Sequence, residues 1–295
     1  MNVEPVQQGP ASHTNSDGNA DPVGSVGFFK SLFSGGRFQF ELGLRRAQPD
    51  WFVLTGAPGD EVLLDRSRWL ASEEGCPEGV VWSPPADALL QELVDHYFHF
   101  PVGIGPAISP SEVARSLSRR WKPDFLLLSR DSRDGFRFVG GSVCFPSGWA
   151  PEEKLGLGLE SIHDPVPGLN GQLGSRINTF LDRLRPGTSF ERFNWGVAAV
   201  PDRNHHPHRG LPRLTRGYPL SKAWLRLEHQ SFHALPRTGG IVFLIDLSVH
   251  PADRILADRE NALSFANQLR TMPHEVAVYK GLDAVRDQWI ESLGE

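Results

Sequence analysis

The chain has 295 residues, a net charge of -5 and a pI near 6.1, with 39% apolar and 22% charged residues. That length buries a sizeable core without metal or disulfide staples, and the acidic balance argues against a nucleic-acid footprint, which needs clustered Lys and Arg. No apolar run reaches the length of a bilayer span, and two cysteines, Cys76 and Cys144, do not make a disulfide framework, so a cytoplasmic protein is expected.

Residues 1–26 are rich in Asn, Ser, Gly, Gln and Asp and lack a basic segment followed by an apolar one. They read as a disordered arm, not a signal peptide. A single domain over 27–295 follows. It opens on Phe28, Phe29, Leu32 and Phe33, a patch expected to dock on the body. Residues 37–84 read as irregular. Helical spacing of Leu89, Leu90, Leu93, Val94, Tyr97 and Phe98 predicts a helix over 87–100, ended by Pro101.

A strand pair is expected over 125–129 and 136–144, joined by a Gly-containing turn. Leu169, Leu173, Ile177, Phe180, Leu181 and Leu184 predict a second helix over 169–184, stopped by Pro186-Gly187. A short strand fits 194–200. Residues 224–232 alternate, with Leu225 and Leu227 on one face and Arg226, Glu228 and Gln230 on the other. The turn Leu235-Pro-Arg-Thr-Gly-Gly240 leads into a strand over 241–247. Helices over 259–271 and 275–293 close the chain, the last with Tyr279, Leu282, Val285, Trp289 and Leu293 as its buried stripe. The fold class is α+β, an antiparallel sheet flanked by helices.

Common catalytic signatures are absent: no GxSxG, P-loop, HExxH or dinucleotide fingerprint occurs, and no CxxCH for covalent haem. Cys144 alternates as an ordinary strand residue and reads as a buried structural thiol. His205-His-Pro-His208 invites a metal reading, but in a Pro- and Arg-rich loop it reads better as solvated. His229 and His233, four apart on a strand, signify little by spacing. His96 and His99 read as surface or boundary residues.

His163 differs in context. It stands in Leu159-Glu-Ser-Ile-His-Asp-Pro-Val-Pro167, where two prolines stiffen the chain that follows. A rigidly mounted imidazole suits an axial haem ligand, with Asp164 as partner to its other nitrogen. On spacing alone, a boundary histidine beside a capping Asp164 is the favoured reading. The face Arg226, Glu228, Gln230 also has two readings. It is either a solvated sheet face, or a pocket wall where Arg226 or Arg237 meets an anion and Glu228 handles a cation.

Four ordered blocks carry a resemblance. They are Gly140-Gly-Ser-Val-Cys-Phe-Pro-Ser-Gly-Trp149; Lys154-Leu-Gly156 with Ile162-His-Asp-Pro-Val-Pro167; Phe193-Asn-Trp195; and Leu225-Arg-Leu-Glu-His-Gln230 with Leu235-Pro-Arg-Thr-Gly239 and Phe243. In this order and with these gaps the chain resembles the haem-binding α subunit of haem-dependent oxidative N-demethylases, over roughly 37–290. The resemblance implies a PAS-like sheet with helices cradling haem b. It implies an enzyme of monooxygenase type that activates O2 and oxidises a small amine. It also implies electrons from a separate reductase with flavin and iron–sulfur centres.

His163 then becomes the leading proximal ligand to the haem iron, on its block and its mounting. Lys154 and Arg226 are expected at the cofactor, and Glu228 and Arg237 at the chemistry: Glu228 orienting a cationic amine or relaying a proton, Arg237 or Arg226 meeting a propionate. His229, His233, the 205–214 loop and Asp246-Leu-Ser-Val-His-Pro251 depart from the family pattern, which bears on the substrate more than on the haem. A haem-based sensor or carrier, or a haem-free assembly partner, are the other classes that this fold serves.

Overall fold

The computed structural model describes residues 29, 32–33, 36–47, 59–71, 79–98, 108–131 and 135–294. The arm over 1–26, Phe28, Cys76, His99 and Pro101 lie outside them.

One seven-stranded sheet organises the described residues. Its strands are β1 (Arg45–Arg46), β2 (Val80–Trp82), β3 (Asp124–Asp131), β4 (Gly135–Ser142), β5 (Ser189–Ala198), β6 (Trp224–Ala234) and β7 (Ile241–Pro251). The order is β1-β5-β6-β7-β3-β4-β2, and every pairing is antiparallel. The α+β expectation of an antiparallel sheet flanked by helices is met.

The helices fall on both faces. They are α1 (Glu61–Ala71), α2 (Ala86–Tyr97), α3 (Pro110–Ser118), α4 (Pro151–Lys154), α5 (Leu159–His163), α6 (Leu169–Arg183), α7 (Ala252–Leu256), α8 (Arg259–Thr271), α9 (His274–Tyr279) and α10 (Arg286–Gly294). On one face, α2 and α3 bury Leu89, Leu93 and Leu117 against Phe125, Leu127, Val242 and Leu244. Beside them, α7–α10 bury Phe265, Leu269, Leu282 and Trp289 against Trp195, Leu225 and Leu227, and Phe29 and Phe33 complete this cluster. Phe33 meets Trp195 and Phe265 at centroid distances of 5.6 and 5.3 Å. The expected docking of the aromatic patch is therefore seen for these two residues.

On the opposite face the cover is split. Helix α1 packs Leu70 over Leu247, Cys144 and Phe145. The segment 149–184 packs Leu181 and Leu184 over Phe136, Phe138, Leu126, Leu128 and Ile241. It is seated because Phe138 donates to the Leu157 carbonyl at 3.1 Å and accepts from the Gly156 amide at 2.7 Å. α5 and α6 therefore lie over this face.

A buried ion pair sets the start of the segment. Arg66, fully buried on α1, bonds Asp124 at 2.6 Å and the Lys122 carbonyl at 2.5 Å. Asp124 also accepts the amides of Cys144 (2.8 Å) and Phe145 (3.0 Å), which turns the chain off β4. The two glycines before this turn have packing reasons. A Cβ on Gly141 would collide with the Phe125 carbonyl oxygen, and one on Gly140 would lie 2.8 Å from the Ala86 Cβ. Cys144 is a buried thiol, as its strand alternation suggested.

Several expectations need correction. Residues 37–84 hold α1 and two short strands. Helix α3 also went unforeseen, although Ser109-Pro-Ser-Glu112 is a full capping box with Pro at its first turn. The helix expected over 275–293 is two helices, because Gly281 takes a φ of 67° and the Leu282 amide bonds back to the Ala277 carbonyl at 2.8 Å. Tyr279, placed in the buried stripe, is 51% exposed.

Candidate functional site

The register aligns polar side chains of neighbouring strands. Arg192 pairs with Gln230, Asn194 with Glu228 and Gly196 with Arg226, so all project from the face beneath α5 and α6. They form a polar band between the two apolar clusters of that face. The apolar part next to the band is incompletely covered: Phe190, Phe232, Phe243 and Ile245 on the sheet are half-buried, as are Leu159, Ile162, Ile177 and Phe180 above them. Phe232 and Phe243, cross-strand partners, stack face to face at 4.6 Å, and Phe180 of α6 meets Phe232 edge-on at 5.6 Å. A cleft with an apolar floor and one polar wall results.

His163 is the last residue of α5, half-buried over this cleft. Its carbonyl accepts the Val166 amide at 2.9 Å, which fixes the backbone before Pro167. Its imidazole makes no hydrogen bond among the described residues; Asp164, expected to orient it, is exposed and makes none to it. Burial first, then the nearby cations Arg192 and Lys154, hold the His163 pKa below its ordinary value. The ring is therefore neutral near pH 7, with a lone pair to offer.

Glu228 is the hub of the polar band. It accepts from Ser147 Oγ at 2.7 Å, Gln230 Nε2 at 2.8 Å and Asn194 Nδ2 at 3.2 Å. Arg226, 4% exposed, donates to the Asp202 carbonyl (2.7 Å), the Arg203 carbonyl (2.8 Å) and Ser147 Oγ (3.2 Å). Burial lowers its pKa to about 10, so it remains charged. Its role here is to fasten the 202–204 loop and Ser147 to the foot of β6, beside Glu228.

Sequence reasoning missed two cations that feel the Glu228 charge, Arg192 within the band and Lys280 from the α7–α10 side of the sheet. Arg192 makes no side-chain hydrogen bond or ion pair among the described residues, and its Nε is buried without a partner. Burial lowers its pKa, with Glu228 opposing. The readable signal was its alternation on β5, in phase with Glu228 once the strands pair. Lys280, between α9 and α10, reaches the β5 edge: it donates to the Trp195 carbonyl at 2.8 Å and lies 4.9 Å from that ring's centroid. Burial pulls its pKa to about 8, against the pull of Glu228.

The sequence candidates therefore divide. His163, Lys154, Arg226 and Glu228 surround or support the cleft. Arg237 does not join them. It is 62% exposed in the β6–β7 turn, where its guanidinium meets Asp95 of α2 at 2.7 Å. The buried carboxylate of Glu92 accepts the Arg237 amide and, at 2.7 Å, the Thr238 amide, so this turn is bound to α2 on the opposite face. His229 also faces away from the cleft: it stacks on Phe193 at 4.4 Å and bonds Glu191 at 2.7 Å. The 205–208 loop is not simply solvated, because His206 is 4% exposed and its Nε2 meets Glu152 at 3.1 Å.

These residues fit a haem in three respects. An unbonded neutral imidazole overhangs the cleft, half-buried aromatic rings floor it, and the cations Arg192 and Lys154 flank the imidazole without an ion-pair partner among the described residues. No helix among the described residues is long and apolar enough to cross a membrane. The family model described as haem-dependent oxidative N-demethylase, alpha subunit-like, matches residues 87–290, which include every strand of this cleft and the whole of its helical cover. The chain belongs to the family of haem-dependent oxidative N-demethylase α-subunit-like proteins.

Proposed function

We propose that this chain is the haem-binding oxidase component of an oxidative demethylation system, with haem b held between the aromatic floor and α5 in a PAS-like manner. The observation that carries this reading is the His163 imidazole, neutral and without a hydrogen bond, over an apolar cleft with two cations beside it. In this reading His163 would hold the haem iron, and Arg192 and Lys154 would meet its propionates. When bound, haem supplies O2 activation and oxidation of a carbon next to nitrogen, with electrons from a separate reductase that carries flavin and iron–sulfur centres.

The chain's own residues then have separable tasks. Glu228, with three neutral donors on its oxygens, orients a small cationic amine at the polar wall. Arg226 acts through Ser147, which it holds against Glu228, and is a positioning residue. Arg237, pinned to Asp95, takes no part.

The test is haem titration of the full chain followed by turnover with small secondary and tertiary amines, O2 and a flavin/iron–sulfur reductase. Stoichiometric haem binding with formaldehyde release supports the enzyme. Reversible gas binding with no aldehyde from any amine supports a sensor or carrier, and no haem uptake refutes both.

A further inference from the structure

We propose that Glu152, His206 and His208 form a binding site for a late first-row divalent cation of the zinc type, outside the cleft. One ligand atom from each lies within 4.8 Å of the other two. Glu152, on α4, already places its oxygens 3.1 and 3.2 Å from His206 Nε2. Two ligands of a tetrahedral zinc with bonds of about 2.0–2.1 Å are about 3.3 Å apart, so this pair stands at coordinating separation. The His208 ring lies 4.9 Å from that of His206, centroid to centroid. His208 is exposed on the 3-10 turn Pro207–Arg209, so its side chain is free to close the remaining distance.

The loop is built to hold these groups. The His206 amide donates to Asn204 Oδ1 at 2.8 Å, and the Asn204 carbonyl is gripped by Arg209 at 2.5 Å. Arg209 also bonds Asp202 at 2.7 Å, and the His205 amide bonds the Pro146 carbonyl at 2.9 Å. The His208 amide donates to His206 Nδ1 at 3.3 Å. A metal at Nε2 puts the proton on Nδ1, so this long contact opens on loading. Two imidazoles with one carboxylate favour zinc-like ions over magnesium or calcium, which prefer all-oxygen sites. Burial of His206 and exposure of His208 leave the fourth position to water.

Such an ion would clamp α4, which also carries Lys154, to the loop that Arg226 joins to Ser147 and Glu228. It would stiffen one wall of the cleft without entering it, and it stands whether or not haem binds.

Calorimetric titration of zinc into the untagged, chelator-treated full chain tests this. The expected result is one zinc per chain, with affinity at least tenfold weaker in His208→Ala and in Glu152→Gln. His208 is exposed, so its variant keeps the fold. Absence of a stoichiometric site in the wild type, or wild-type affinity in either variant, overturns the proposal.

Discussion

Asp124→Ala removes the acceptor that balances Arg66 where α1 meets the sheet. Arg66 is 0% and Asp124 1% exposed, and the pair is 2.6 Å apart. Burial, the largest single influence, disfavours the Arg66 charge, and Asp124 and Cys144 together outweigh it and raise the pKa; with Asp124 gone the guanidinium, whose ordinary value lies far above neutral pH, is left charged and unbalanced. Breaking a buried pair by deleting one member costs about 3–5 kcal/mol. The amides of Cys144 and Phe145 also lose their acceptor, at roughly 1 kcal/mol or more each. Arg66 retains the Lys122 carbonyl and, at 3.4 Å, Ser118, which softens the loss. A destabilisation of about 4 kcal/mol is expected by urea unfolding, a large share of a typical domain's 5–15 kcal/mol.

The double variant Arg66→Met/Asp124→Ala no longer buries a lone charge and should recover about half of that loss. A single-variant cost under about 1 kcal/mol, or a double variant less stable than the single, would refute this reasoning. The turn at Cys144 leads to Ser147, so Asp124→Ala should also loosen the Ser147–Glu228 bond and weaken the proposed amine oxidation.

Other predictions read out separately. Arg192→Met should weaken haem affinity at least tenfold while leaving the haem-free chain as stable or more so, because a half-buried guanidinium whose Nε is buried without a hydrogen-bond partner is removed; a less stable haem-free variant counts against it. Gly141→Ala should cost more than about 3 kcal/mol or prevent folding, since its Cβ would overlap the Phe125 carbonyl; urea unfolding measures it. His233, its pKa lowered by burial to about 3, binds a proton more readily when unfolded. Its contribution is therefore intact above the unfolded value near 6.5 and is lost as pH falls from there towards 3, at up to about 1.4 kcal/mol per pH unit. Unfolding midpoints of His233→Gln should fall less steeply with pH than those of the wild type.

Much of the fold was legible because its signals are local. The helical stripe of α6 and the alternation of β6 are written in consecutive residues, and both elements form where that pattern puts them. The break in the C-terminal helix was less so, since Gly281 lies inside an otherwise helical apolar pattern. The candidate site was half legible. Glu228 and Arg226 stood out as a polar face, but Arg192 gains meaning only when β5 pairs with β6 in the observed register. The place of Arg237 was not legible, because its motif lies beside the strand that forms the wall, while Glu92 and Asp95, over 140 residues earlier, hold its turn on the other side. Glu152 and His206 likewise meet across 54 residues, which no spacing rule anticipates.

The central claim is that His163 offers its ring to haem iron in this cleft. Its most direct test is the oxidised and reduced absorption spectrum of haem-loaded wild type against His163→Ala, with and without added imidazole. His163→Ala should lose or shift the Soret and visible bands, and imidazole should restore them. Unchanged bands and unchanged haem affinity in His163→Ala would contradict it.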